Sequence, residues 1–277
     1  MSLFCDTGLA ERIEQAEVRL ISAGCEAARG RGARGLLLPV AGGVASVAEE
    51  GSPLNKVAGL GFAGVPTEKD VEEIELAFGD IPVQVELAHL GDPGIPALLT
   101  ARGYRLVSFE NVLGLALDGG YERVDPAGVE VRRTDEDFES WLDTVVEGFA
   151  SPDNQGVPSH EEFPREILAN AMRDLVAAAG VRRYVALYEG ELAGAASCRG
   201  DNGVAQLTGA ATVPKHRRKG VQTALLSARL ADLAAEGCDI AVITTQPGSK
   251  SQQNAQRQGF DLLYTRAVLV KPAPETG

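Results

Sequence analysis

The passage at residues 213–226, Val-Pro-Lys-His-Arg-Arg-Lys-Gly-Val-Gln-Thr-Ala-Leu-Leu, most constrains the fold of this chain. An apolar, strand-like segment, residues 204–213, runs into it. A helical segment, residues 222–235, runs out, with Leu226, Leu230 and Leu233 at the spacing of a core stripe. Lys215, Arg217, Arg218, Lys219 and Gly220 therefore crowd one loop at a helix entrance. Unbonded backbone N–H groups and the positive end of the helix dipole converge there, which suits an anion such as phosphate. Gly220 lacks a Cβ, so the turn can take a positive φ and a ligand can approach the backbone. A plain basic surface loop joining strand to helix is the other reading of the same residues.

Arg217-x-x-Gly220-x-Gln222 resembles the R/Q-x-x-G-x-G/A pyrophosphate loop of the GNAT N-acetyltransferase superfamily, with Gln222 in place of the final small residue. Downstream, the run Ser251, Asn254, Arg257, Gly259, Phe260 is similar to that fold's S-x-x-N-x-x-R-x-G-F ending. One helix and one apolar strand, residues 240–244, separate the two blocks, as the resemblance requires. Upstream, residues 138–149 and 161–179 read as amphipathic helices. The first carries Phe138, Leu142, Val145, Val146 and Phe149 on its apolar side. Residues 184–188, 191–198 and 204–213 read as a strand meander with turns at Gly190 and Gly203. Two helices, three antiparallel strands, then helix, strand, helix and strand is the GNAT order.

The first half echoes the second. A strand-like stretch at residues 55–62, a helix at 68–78, a strand at 83–87, a short helix ending near Thr100 and a strand after Gly103 repeat the later succession. The polar segment 118–128 with its Gly and Pro residues marks a boundary. The expected class is α/β (an α+β mixed sheet), with two GNAT-like domains, each a mixed, mostly antiparallel sheet flanked by helices. Residues 1–120 would form a degenerate domain without a pyrophosphate loop. Residues 121–277 would form the acyl-CoA-binding domain. At the helix entrance of the first half stand Thr67, Glu68, Lys69 and Asp70. Thr67 and Asp70 can cap that helix internally, and the acids would repel a pyrophosphate.

The 277 residues carry a formal charge of −13, which argues against non-specific nucleic-acid or acidic-membrane partners. No apolar run is long enough to span a bilayer, and the polar, acid-bearing first twenty residues resemble no secretory or transit peptide. A cytoplasmic location is expected. Cys5, Cys25, Cys198 and Cys238 lie far apart with no C-x-x-C pair, and only three histidines are present, so free thiols and no metal site are expected. Cys198 as a nucleophile lacks a sequence-placed activator in His160 or His216.

The resemblance implies acetyl-CoA or another acyl-CoA as co-substrate. Backbone groups of Arg218, Lys219, Gly220, Val221, Gln222 and Thr223 would cradle the pyrophosphate. Arg217, Arg218 and Lys219 would add charge. Ala211, Thr212 and Val213 would pair with the pantetheine arm as an added strand does. Asn254 would contact the same arm or cap a helix, and Arg257 would be structural. Direct acyl transfer to a small-molecule amine follows as the implied reaction, with a non-catalytic acyl-CoA-binding or sensing protein, or a tandem acyltransferase of the mycothiol synthase sort, as alternatives. Family members often carry a tyrosine acid just after the Asn and a glutamate base on the fourth strand. Here Ala255 follows Asn254, and residues 204–211 contain no carboxylate. Tyr264 as acid, and Glu86, His89 or Glu110 as base, are the remaining candidates, each also readable as core or surface. Nucleotide binding through an ordinary P-loop is disfavoured by the absence of G-x-x-x-x-G-K-S/T. Either a monomer or a homodimer is compatible with this layout.

Overall fold

The computed structural model describes residues 3–117, 120–150, 157, 162–178 and 180–273. Asp118 and Gly119 of the boundary segment, His160, and both ends of the helix expected at 161–179 lie outside the described residues. The first half comprises α1 (Thr7–Gly30), β1 (Leu36–Val40), β2 (Gly43–Val47), β3 (Lys56–Ala58), α2 (Glu68–Phe78), β4 (Val83–Ala88), α3 (Gly94–Ala101) and β5 (Arg105–Ala116). The second comprises β6 (Val129–Arg133), α4 (Phe138–Ala150), α5 (Arg165–Ala177), β7 (Val181–Tyr188), β8 (Glu191–Asp201) and β9 (Val204–Thr212). A 3-10 turn, Pro214–His216, then leads to α6 (Val221–Ala235), β10 (Ile240–Thr245), α7 (Lys250–Arg257) and β11 (Asp261–Lys271).

All eleven strands join one mixed sheet in the order β1-β2-β3-β4-β11-β5-β10-β9-β8-β7-β6. In each half one parallel pair, β3/β4 or β9/β10, is entered by an antiparallel hairpin. The last strands of the two halves change places. β11 runs antiparallel between β4 and β5, and β5 runs antiparallel between β11 and β10. The expected halves are therefore parts of one continuous sheet, and the division at residue 120 falls between β5 and β6.

Helices cover both faces. On one, α6, α7 and the segment after it pack Leu225, Leu230, Leu233, Ala255 and Phe260 against Ala186, Ala193, Cys198 and Ala205. On the same face of the first half, Val71, Ile74 and Phe78 of α2 and Ile95 and Leu99 of α3 meet Val57, Val85 and Leu87. Opposite, α4 packs on Val185 and Ala195, and α1 contributes Ala10, Ile13 and Ala16 beside Val204 and Val242. The α4 stripe departs from expectation at its end: Phe149 is exposed, while Trp141 is wholly buried and its indole N–H donates to the Ala196 carbonyl at 3.1 Å. The helix α1 follows Asp6, whose carboxylate caps it by accepting from the Leu9 amide. No helix among the described residues is long and apolar enough to cross a membrane.

Between α1 and the sheet lies a polar layer. Arg266 donates from Nε to Glu14 at 2.8 Å and stands 3.7 Å from both Glu86 and Glu110, while Lys56 pairs with Glu86. Tyr264 donates to Glu14 at 2.6 Å.

Candidate functional site

β9 and β10 pair only from Val204/Ile240 to Gln206/Val242. Beyond that point β9 stays with β8 while β10 stays with β5, so the parallel strands part. A cleft of about 1140 Å³ opens in the gap. Its walls are the end of β9 (Ala210, Ala211, Thr212), the start of α6 (Gly220, Val221, Gln222, Thr223), Ile243 of β10, and Asn254 and its neighbours on α7. Gly148 of α4 closes one side. A Cβ there would stand 2.2 Å from the Ala211 Cβ, so only glycine lets α4 approach β9 this closely.

The loop before α6 has a specific backbone shape. Arg218 sits at φ 65° and Gly220 at φ 81°, both left-handed. Gly220 is the N-cap of α6, which has no side-chain cap and no acid in its first turn. The amides of Val221, Gln222 and Thr223 are thus left to whatever occupies the cleft they line. The missing Cβ of Gly220 serves the positive φ and a close contact: a Cβ would come within 2.8 Å of Pro126. The corresponding entrance in the first half is closed. Thr67 and Asp70 form a reciprocal capping box on α2, and the Asp92 amide bonds the Gly61 carbonyl at 2.8 Å.

Arg217, Arg218, Arg229, Lys250 and Arg257 line the cleft, and no carboxylate does so among the described residues. On a chain of charge −13 this is a concentrated positive field. Two members of the basic run face elsewhere. Lys219 lies over the Tyr188 ring at 4.2 Å, and Lys215 pairs with Glu191 at 2.8 Å. His216 is buried beside Tyr188. Lys219 accordingly lies outside the cleft wall. Val213 also lies outside it, and its amide donates to the Ala193 carbonyl at 2.9 Å. It belongs to a hollow of about 340 Å³ that shares Gly148 and Pro214 with the cleft. There Arg165 bridges Asp143 and Glu147.

Asn254 is in the body of α7, because the N-cap is Ser249, whose hydroxyl accepts from the Gln252 amide at 3.1 Å. Arg257, expected to be structural, is exposed on the cleft wall instead. Arg229 and Lys250 join the wall although no motif in the sequence singles them out. A charge on an apolar helix face, three residues after Leu226, is the signal that marks Arg229.

The acid and base candidates are not in the cleft. Tyr264 is buried beneath α1, bonded to Glu14, and its pKa is raised well above normal, first by burial and then by that carboxylate. The cause is the strand exchange, which carries β11 into the first half's sheet. Glu86 is likewise buried. Desolvation pushes its pKa up, but Lys56 and Arg266 more than offset this and hold the carboxyl below its usual range. It is an ionised structural partner. Glu110, whose pKa burial and the neighbouring Glu86 push up to about 7, faces Arg266, and His89 bonds Thr265. Cys198 is wholly buried, and desolvation raises its pKa, which leaves an unreactive thiol. All four cysteines are free.

Parted parallel strands, an uncapped helix N-terminus and a basic wall without acids among the described residues define a mixed α/β protein with a cleft at its sheet opening. Residues 143–260, which contain most of that cleft, match the family model described as Acetyltransferase (GNAT) family. The whole chain has the GNAT fold. It is similar to a GCN5-related N-acetyltransferase from Kribbella flavida, at 21% identity and TM-score 0.62, covering 94% of this chain and 96% of that one. A tandem GNAT protein from the clavulanic acid biosynthesis pathway shares 14% identity at TM-score 0.58, with 85% and 80% covered. A putative GNAT-family acetyltransferase from Novosphingobium aromaticivorans shares 15% at TM-score 0.52, with 83% and 88% covered. No protein of curated function matches the sequence.

Proposed function

We propose that the protein is an acyl-CoA-dependent N-acyltransferase that moves the acyl group of acetyl-CoA or another CoA thioester to a small-molecule amine. The observation that carries this is the uncapped N-terminus of α6 opening onto a basic, acid-free cleft that continues between β9 and β10. The donor set fits a pyrophosphate. Amides of Val221, Gln222 and Thr223 would bind its oxygens, and Arg217 and Arg218 would add charge. From Leu207 onward the inner edge of β9 has no strand beside it, and Ala211 and Thr212 would pair there with the amides of the pantetheine arm. Asn254 would contact the same arm from α7.

The reaction forms a C–N bond and breaks the C–S bond of the thioester; the amine loses a proton and the departing sulfur gains one. Among the described residues no carboxylate, histidine or tyrosine lines the cleft, so water is the proton acceptor and donor in this reading. The same observation favours one alternative, an acyl-CoA-binding protein without turnover. The acidic surface would steer cationic amines toward the protein. With β5 filling the place beside β10 within the same chain, a monomer suffices to complete the cleft's sheet, and a homodimer is not required.

Calorimetric titration with acetyl-CoA and CoA, followed by free-thiol release against a panel of amines, tests both readings. Saturable binding with amine-dependent thiol release supports the transferase. Binding without release from any amine leaves the binding protein. No binding of any CoA species refutes both.

A further inference from the structure

Arg229 lies in the third turn of α6, is 1% exposed, and still contributes to the cleft wall. Its position follows from a bulge. The β8/β9 register shifts between Ala196/Ala210 and Ser197/Thr208, with Gly209 as the extra residue. The guanidinium crosses under this bulge and donates from Nη1 to the Ser197 carbonyl at 2.9 Å and the Thr208 carbonyl at 3.3 Å. Nε donates to the Leu225 carbonyl of its own helix at 3.0 Å. Three of the five N–H groups of the fork are thus used. The two on Nη2 have no acceptor among the described residues.

The charge is unbalanced as well. Arg229 forms no ion pair among the described residues, and burial lowers its pKa to about 10. Asp232, one turn further along α6, is taken by the Tyr184 hydroxyl at 2.6 Å. Nη2 is not among the buried polar atoms left without a partner, so its donors open to the cleft, where an anion can take the place of water. The cleft wall to which it contributes also carries the apolar side chains of Leu226, Ile243 and Ala210. A carboxylate at the end of a short carbon chain fits both features: methylene groups against the apolar wall, and an anion on the planar fork.

We propose that the inner end of the cleft binds the terminal carboxylate of a short dicarboxylic acyl group, with Arg229 Nη2 as its partner. This rests on the acyltransferase reading and narrows its donor to a thioester such as malonyl- or succinyl-CoA. A carboxylate carried by the amine acceptor would present the same chemistry, and the test separates the two sources.

Affinities of the wild type for acetyl-, malonyl-, succinyl- and free CoA are measured by calorimetry. At least one dicarboxylic thioester is expected to bind about tenfold or more tightly than acetyl-CoA. In Arg229→Met that ratio falls to about one, and in Arg229→Lys it is partly kept. Circular dichroism establishes that the variants fold; if Arg229→Met does not, the wild-type ratio and Arg229→Lys still decide. Equal wild-type affinity for acetyl and dicarboxylic thioesters overturns the proposal, and so does a preference that survives in Arg229→Met. Turnover that depends on a carboxylate in the amine and not in the thioester overturns it in favour of the acceptor. Failure of every CoA species to bind, free CoA included, removes the transferase reading beneath it.

Discussion

Replacing Gly220 by Asp puts a carboxylate where a pyrophosphate is expected. Two effects must be separated. The first is conformational: at φ 81° an L-residue costs roughly 1–2 kcal/mol. Its Cβ would also meet Pro126 at 2.8 and 3.1 Å, so the proline ring must give way. Together these should lower stability by about 1–3 kcal/mol. The second is electrostatic. A carboxylate ~5 Å from one phosphate charge, at an effective dielectric of ~20, repels it by about 3 kcal/mol, or roughly two orders of magnitude in Kd. Gly220→Ala carries the same strain and the same contact with Pro126 but no charge. Titration of CoA into both variants, with a thermal melt on each, isolates the second effect as the difference between them. CoA affinity within about threefold for the folded Ala and Asp variants would refute the placement of phosphate at this helix end.

Two further outcomes follow from the same geometry. The Glu110 carboxyl, whose pKa burial and then Glu86 raise from 4.5 to about 7, holds its proton more firmly in the folded than in the unfolded chain. Its contribution to stability is therefore complete below the unfolded value and is lost as pH rises through about 7. Glu110→Gln, which imitates the protonated side chain, should be more stable than wild type by about 1–3 kcal/mol near pH 8.5 and nearly equal to it near pH 4. Thermal melts at the two pH values check this, and the same difference at both would contradict it. Thr67→Ala should remove the α2 capping box at a cost of about 1 kcal/mol while leaving CoA affinity unchanged. A loss of affinity on titration would show that the first half's helix entrance takes part in binding.

What the sequence made legible was local. The Thr67–Asp70 cap, the glycine at the entrance of α6 and the core stripe of α6 are each decided within a few residues, by side chain to backbone bonds or helical spacing. Residues placed by distant neighbours are less legible. Lys219 reads as a phosphate ligand until the ring of Tyr188, on another strand, draws it away. Arg257 reads as structural because its exposure on the cleft wall depends on how α7 packs beside β10. The helix α1 is another locally decided element, with Asp6 as cap and Ile13, Ala16 and Leu20 at helical spacing.

The exchange of β5 and β11 explains the largest misplacement. Both strands are long and carry apolar runs, Val112-Leu113 and Val268-Leu269, which indicate that each belongs in a sheet. Nothing in either indicates which half's sheet. Placed in its own half, β11 would bring Tyr264 beside β10, and a tyrosine acid would be a reasonable assignment. In the structure β5 occupies that place, pairing with β10 along its full length from Ile240/Ala116 to Thr245/Asn111. The cleft's outer strand is therefore backed by the first half, and Asn111 on β5 reaches Gln252 of α7 at 3.3 Å. In return, β11 brings Arg266 to Glu14, Glu86 and Glu110, so the charge layer under α1 is completed only by the second half. Each half lacks a strand that the other supplies. The first half thus contributes to the candidate site by holding β10 and α7 where the cleft needs them, although its own helix entrance is capped.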